Sequence, residues 1–209
     1  MTGFWTPEPI WEGETAYLLA GGPSLRDVDL SLLRGRKVLT INSSHARAIE
    51  AGLDDGILFF TDIEWFTGRR DIVAAWRGPV ITSSRPAKAA MPQKIKRVQG
   101  ELRDSFPPIG APVIRKGHSS GQTAIGLAAS LGAIRIVLLA YDMREVDGRT
   151  HHHDEYRCPD LSYYSKRFIP GFAGWKQSAD EAGIEILNAT PDSALVEFPM
   201  INFETALIS

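Results

Sequence analysis

Several groups of side chains in this sequence have the types and spacing to do chemistry. His151-His152-His153 runs straight into Asp154 and Glu155. Imidazole titrates near neutrality, so the tract could supply a general base for deprotonating a substrate hydroxyl. In an extended segment His151 and His153 share one side, and with Asp142 or Asp154 they could instead hold a divalent metal. A solvent-exposed loop is the third option. Gly117-His118-Ser119-Ser120-Gly121 is a glycine-bounded loop rich in hydroxyls, placed where a helix should begin. Ser119, Ser120 and the loop's backbone N–H groups suit one half of a nucleotide cradle. Arg115 and Lys116, just before it, could neutralise a phosphate. His118 either faces a reaction centre or is an ordinary loop histidine.

A second glycine turn, Gly21-Gly22-Pro23-Ser24, follows the first apolar run. Two glycines permit positive φ and a close backbone approach to a ligand. A helix opening at Pro23 would aim its free N–H groups at an anion. The turn is neither the Gly-x-Gly-x-x-Gly fingerprint nor a P-loop, and a purely structural tight turn is the alternative.

These groups must be positioned by regular elements, and the apolar runs say which. Strands are expected at 15–20, 37–41, 57–61, 79–82 and 134–139, with further strands at 95–98 and 184–187. Helices are expected from Pro23 to Leu33, from Asn42-Ser43-Ser44 to Ala51, from Asp62 to Trp76, from Thr123 to Leu131 and from Gly174 to Ala182. Short apolar strands alternating with helices of about ten residues predict an α/β fold. It is Rossmann-like: a doubly wound, mostly parallel sheet of about six or seven strands between two helical layers. Such sheets bind ligands beyond the carboxyl ends of their strands. Gly21 to Ser24, Asn42, Asp62 and Asp142 each follow a strand, so they are candidate ligand contacts. Capping of the next helix explains any one of them equally well.

Composition narrows the class. The chain has 209 residues, 44% hydrophobic and 23% charged, with a formal net charge of −2. That predicts one packed domain, with an extended arm over 1–14 and a His-rich active-site loop over 144–169. No apolar run reaches the length of a membrane span and no leader is evident, so a cytoplasmic protein is expected. Cys158 is the single cysteine, which excludes an internal disulfide framework and leaves any metal to His and carboxylates. The near-neutral charge gives no general reason to expect nucleic-acid binding; Lys94, Lys96, Arg97 and Arg103 form one small basic cluster.

Two stretches together carry a family resemblance: Ala20 to Leu25, and Ser119 to Met143 through Tyr141-Asp142. They resemble the DUF115/sialyltransferase-like superfamily, nearest to phage-encoded members with a His-rich tract and a late Asn-x-Thr-Pro-x-Ser, here Asn188 to Ser193. The resemblance implies that Gly21, Gly22, Pro23, Ser24, Asn42, Asp62, Ser119, Ser120 and Gly121 hold a nucleotide. The family's Gly-Asn-Gly is Ala20-Gly21-Gly22 here, Asp62 stands where Asn is common, and the family's catalytic His lies further downstream than 151–153.

The reading that follows is a glycosyltransferase-like enzyme using a nucleotide-activated donor such as a CMP- or UDP-sugar, with no cofactor required. His151 or His153 would act as base, with His118 also a candidate at the reaction centre. Arg115 would stabilise the leaving phosphate, with Tyr156, Tyr163 or Tyr164 in support. In a phage, a modified DNA base is a conceivable acceptor; a homo-oligomer is another open partner assignment. The alternatives are a Mg2+- or Mn2+-dependent pyrophosphokinase, with Asp62, Asp142, His151 and His153 as ligands, and a non-catalytic nucleotide-binding module.

Overall fold

The computed structural model describes residues 3–84, 92–155 and 160–208. Seven short strands form one parallel sheet: β1 (Thr15–Leu19), β2 (Lys37–Ile41), β3 (Ile57–Phe60), β4 (Val80–Thr82), β5 (Ile95–Arg97), β8 (Arg135–Leu139) and β9 (Glu185–Asn188). Their order is β5-β4-β3-β2-β1-β8-β9. A separate parallel pair, β6 (Gln99–Leu102) and β7 (Val113–Lys116), lies outside it. The main sheet is the one the apolar runs predict, and its seven strands include the short 95–98 segment. The β6–β7 pair was not expected, because Gln99-Gly100-Glu101-Leu102 lacks an apolar run.

Alternation along each strand feeds two cores. In β1, Ala16 and Leu18 join one buried cluster while Tyr17 and Leu19 join the other. The first cluster packs against α4 (Ser120–Ser130) and α6 (Trp175–Glu181). The second is covered by α1 (His45–Glu50), α2 (Ile63–Thr67), α3 (Arg70–Ala75) and α7 (Phe203–Ile208). The architecture is therefore a three-layer α/β fold. Among the described residues no helix is long and apolar enough to cross a membrane.

Two of the expected helices are interrupted. Pro23 to Leu33 is not one α-helix but two 3-10 turns, Pro23–Arg26 and Leu30–Leu33. Asp29 breaks it, because its carboxylate accepts the Ser31 N–H and so restarts the chain. Residues 62–76 form α2 and α3 with a break at Gly68 and Arg69. The tract 160–171 holds a π-helical segment, Tyr164–Phe168, continued by α5 (Ile169–Gly171). Trp11 is buried with its N–H donating to Leu131, and Trp5 donates its N–H to the Arg97 carbonyl at the sheet edge.

The late Asn-x-Thr-Pro-x-Ser motif has a clear job in holding the end of β8. Thr190 Oγ1 accepts the Tyr141 N–H at 2.9 Å, and Ser193 Oγ donates to the Tyr141 carbonyl at 2.6 Å. Asn188 locks the loop itself, its Oδ1 accepting the Thr190 N–H and its Nδ2 donating to Leu195. Thr190→Val keeps the shape and strands a buried N–H, which costs about 2 kcal/mol. Urea unfolding should show a lower midpoint with an unchanged slope.

Candidate functional site

The strand order reverses at the β1–β8 boundary, where β2 continues on one side and β9 on the other. Beyond the carboxyl ends of these strands lies a cleft of about 900 Å3. Its walls include Gly21 and Gly22 after β1, Asn42 and Ser43 after β2, Thr61 and Asp62 after β3, Ser83 and Ser84 after β4, and Asp142 and Met143 after β8. Lys116, the whole 117–121 loop, Thr150, His151, Tyr164, Arg167 and Phe168 also line it. The structure thus gathers Gly21, Gly22, Asn42, Asp62, His118, Ser119, Ser120, Gly121, Asp142 and His151 around one cavity.

Ser120 is where the strand exits meet. Its Oγ lies 2.6 Å from Thr61 Oγ1 and accepts from Asn42 Nδ2 at 3.2 Å. Asn42 reaches it from a left-handed backbone, φ 51°. Ser120 opens α4, and Ser119 caps that helix by accepting the Gln122 N–H at 3.1 Å. Gln122 is buried; its Oε1 takes the His118 N–H at 2.7 Å and its Nε2 donates to the Gly171 carbonyl. Tyr141 holds the same turn through its hydroxyl, which donates to the Gly121 carbonyl at 3.0 Å. A side chain on Gly121 would press on the Tyr141 ring at 3.0 Å. The loop is therefore a fixed scaffold that presents Ser119, Ser120 and His118.

The Gly21–Ser24 turn does different work from the expected anion cradle. Neither glycine takes a positive φ; Gly22 is extended, at φ −67° and ψ 162°. What Gly22 requires is space, since an added Cβ would sit 2.0 Å from Asp142 Oδ2 and 2.4 Å from the Ala140 carbonyl oxygen. Asp142 itself occupies the turn: its carboxylate accepts the Ser24 N–H at 3.3 Å and the Ser24 hydroxyl at 2.9 Å. Burial pushes this carboxyl's pKa up, with the Ser24 hydrogen bonds pulling the other way. Pro23 and Ser24 lie outside the cleft, against a neighbouring cavity that also touches Asp142.

Arg115 is likewise not at the cleft. It is buried and points to the opposite side of β7 from Lys116, which is exposed at the strand's end and lines the cleft. Its guanidinium stacks on Trp175, 4.0 Å from the ring centroid, and donates to Ser178 and to the Arg103 carbonyl. It ties α6 to the β6–β7 layer. Placement thus corrects the phosphate role expected of it.

The histidine tract divides. His151 faces the cleft, with its Nδ1 2.9 Å from Thr150 Oγ1. His152 is buried and braces the first turn, its N–H donating to the Gly21 carbonyl. His153 stacks on His151 at 5.2 Å between ring centroids and meets His152 edge-on at 4.8 Å, and it does not line the cleft. Desolvation depresses all three, with neighbouring imidazoles adding to the effect on His151 and His153, which fall to about 4. His151 therefore stands neutral at pH 7, in the form that can accept a proton.

These shifts set a pH dependence. An unfolded His titrates near 6.5, so between about pH 6.5 and 4 the unfolded chain binds protons that the folded chain refuses. Stability contributed by the neutral tract is present above pH 6.5 and is lost as pH falls toward 4. The melting temperature should drop across that window, and His151→Gln with His153→Gln should flatten the drop.

Of the alternative metal set, Asp62, Asp142 and His151 line the cleft and His153 does not. Asp62 spends its carboxylate capping α2, accepting the Glu64 N–H at 2.7 Å, and Asp142 spends its own on Ser24. Among the described residues no group of three or more His, Cys, Asp or Glu is arranged to hold a metal ion. Cys158 and Tyr156 lie outside the described residues; Tyr163 does not line the cleft, whereas Tyr164 does. The basic cluster is largely committed to the fold. Lys94 donates to the Ala74 and Trp76 carbonyls, Lys96 and Arg97 sit over Trp5 and Phe4, and Arg103 pairs with Glu101. Arg167 and Phe168 were missed by sequence reasoning, since only packing of the 164–171 segment brings them to the rim.

The fold has a counterpart among solved structures. It is similar to a chain described as the MAf glycosyltransferase from Magnetospirillum magneticum AMB-1, with a TM-score of 0.61 at 8% sequence identity. The match covers 97% of this chain and 35% of that one, so this chain spans about a third of its length. At that identity the likeness is one of fold. No protein-family model and no curated protein matches the sequence.

Proposed function

We propose that this chain is a glycosyltransferase-like enzyme that moves a glycosyl group from a nucleotide-activated donor to an acceptor hydroxyl. The observation that carries the reading is the convergence of Asn42, Thr61 and Ser120 at the start of α4, inside a cleft at the sheet's switch point. Such a place suits a nucleotide: neutral donors and acceptors for a base or ribose, and a helix start that favours a phosphate. The similarity in fold to a chain described as a glycosyltransferase supports the same class.

In the transfer, the acceptor oxygen attacks the donor's anomeric carbon as the bond from that carbon to the phosphate oxygen breaks. The nucleotide leaves with the bonding electron pair, and the acceptor proton passes to the His151 imidazole. His151 is the tract's cleft-facing member and is neutral before the step. His153 supports it by stacking. No metal is assigned to the step, and the acceptor is a hydroxyl compound of unassigned identity.

The test is a donor screen at neutral pH that follows nucleotide release from CMP- and UDP-sugars, with and without Mg2+. Release from one donor without added metal supports the reading. Release of AMP from ATP only with Mg2+ would place the protein with pyrophosphokinases instead. Tight nucleotide binding without turnover of any donor would make it a binding module.

A further inference from the structure

The cleft carries two cationic side chains whose charged ends have no partner among the described residues. Lys116 at the end of β7 and Arg167 in the π-helical segment both line it, and both are exposed. Neither forms an ion pair or a side-chain hydrogen bond among the described residues, unlike Arg26, Arg69 and Arg149, which pair with Asp154 or Glu155. The two come from distant parts of the chain, yet one side chain brings their elements together. Gln122 takes the His118 N–H through Oε1 and donates to the Gly171 carbonyl through Nε2, stapling the 117–119 loop to α5. The packing is close, since a Cβ on Gly171 would meet His118 Cδ2 at 2.9 Å. Lys116 directly precedes that loop and Arg167 lies four residues before Gly171. The first turn of α4 lines the same cleft, its positive end adding to the field there. π-Helical turns of this kind are concentrated at functional sites.

We propose that Lys116 and Arg167 form an anion clamp for a diphosphate-class or phosphate ester group of the substrate, at the α4 end of the cleft. Rotatable ammonium and planar guanidinium donors are complementary partners for phosphate oxygens. The clamp takes the role expected of Arg115, which the fold has buried. This inference rests on the proposed function for the identity of the phosphate carrier, but the clamp can be tested without it.

The probe is inorganic pyrophosphate, titrated calorimetrically into the intact chain at low salt, beside CMP and UDP. Pyrophosphate should bind the unaltered protein. Lys116→Ala and Arg167→Ala should each weaken it about tenfold and together about a hundredfold, while Arg167→Lys keeps most of the affinity. Both side chains are exposed, and an unchanged melting temperature would show that each variant is folded. No pyrophosphate binding, or equal binding by the double variant, would overturn the clamp. If CMP or UDP binds the double variant as well as it binds the unaltered chain, the clamp falls and the nucleotide reading survives. If pyrophosphate binds through the clamp and no nucleotide binds at all, the clamp stands and the nucleotide reading falls.

Discussion

Gly22→Ala is expected to destabilise the protein by about 3 kcal/mol and to abolish ligand binding in the cleft. The added methyl has nowhere to go, with Asp142 Oδ2 at 2.0 Å and the Ala140 carbonyl oxygen at 2.4 Å. Both neighbours are fixed. Asp142 is held by Ser24, and the Ala140 carbonyl already accepts the Gly22 N–H at 3.0 Å. Relief therefore requires the ends of β1 and β8 to separate at the switch point. In a chain of this size the loss should lower the melting temperature by about 10 °C, measurable by calorimetry. Gly21→Ala is the control. Its Cβ would meet only His151 Cδ2 at 3.6 Å, an ordinary contact, and it should change stability by less than about 1 kcal/mol. Equal effects from the two substitutions would show that the turn is not packed as described.

The second large effect is on turnover. His151→Ala should lower the rate of glycosyl transfer by about a hundredfold to ten-thousandfold, the range for removing a general base. Nucleotide affinity should change by less than about twofold, because the Asn42, Thr61 and Ser120 contacts do not involve the imidazole. His153→Ala should cost far less, since His153 stacks behind His151 and does not line the cleft. A larger loss for His153→Ala than for His151→Ala would move the base to the other imidazole. Single-turnover kinetics on each variant separate the chemical step from binding.

How much of this was legible in the sequence depends on whether a residue's role is local or long-range. The main sheet was legible because runs such as Ile57-Leu58-Phe59-Phe60 are buried on both faces and leave no other place for themselves. The β6–β7 pair was hidden because one strand is Gln-Gly-Glu-Leu and is held by its neighbour rather than by its own pattern. The helix expected over 23–33 failed because Asp29 found a better partner in its own backbone, and without that helix the first turn loses its anion-binding logic. Asp142, expected as a ligand contact, lines the cleft and also accepts from Ser24.

Asn42, Asp62 and the 117–121 loop line the cleft, and their places follow from the elements they adjoin in sequence. Whether Arg115 or Lys116 faces the cleft turns on strand parity, and a single residue of register decides it. Arg167, Phe168 and the bridging role of Gln122 depend on a contact across about fifty residues, which no local pattern records. The histidine tract was conspicuous, but its division into a cleft-facing, a bracing and a stacking member follows from packing.

The central claim is that the Ser120 junction holds a nucleotide, and calorimetric titration of CMP, UDP, GDP and ATP tests it most directly. Each nucleotide would be added to the unaltered chain and to Ser120→Ala, with and without Mg2+ or Mn2+. The predicted result is metal-independent binding of CMP or UDP that Ser120→Ala weakens about tenfold or more. Failure of all four nucleotides to bind, or undiminished binding by Ser120→Ala, would contradict it.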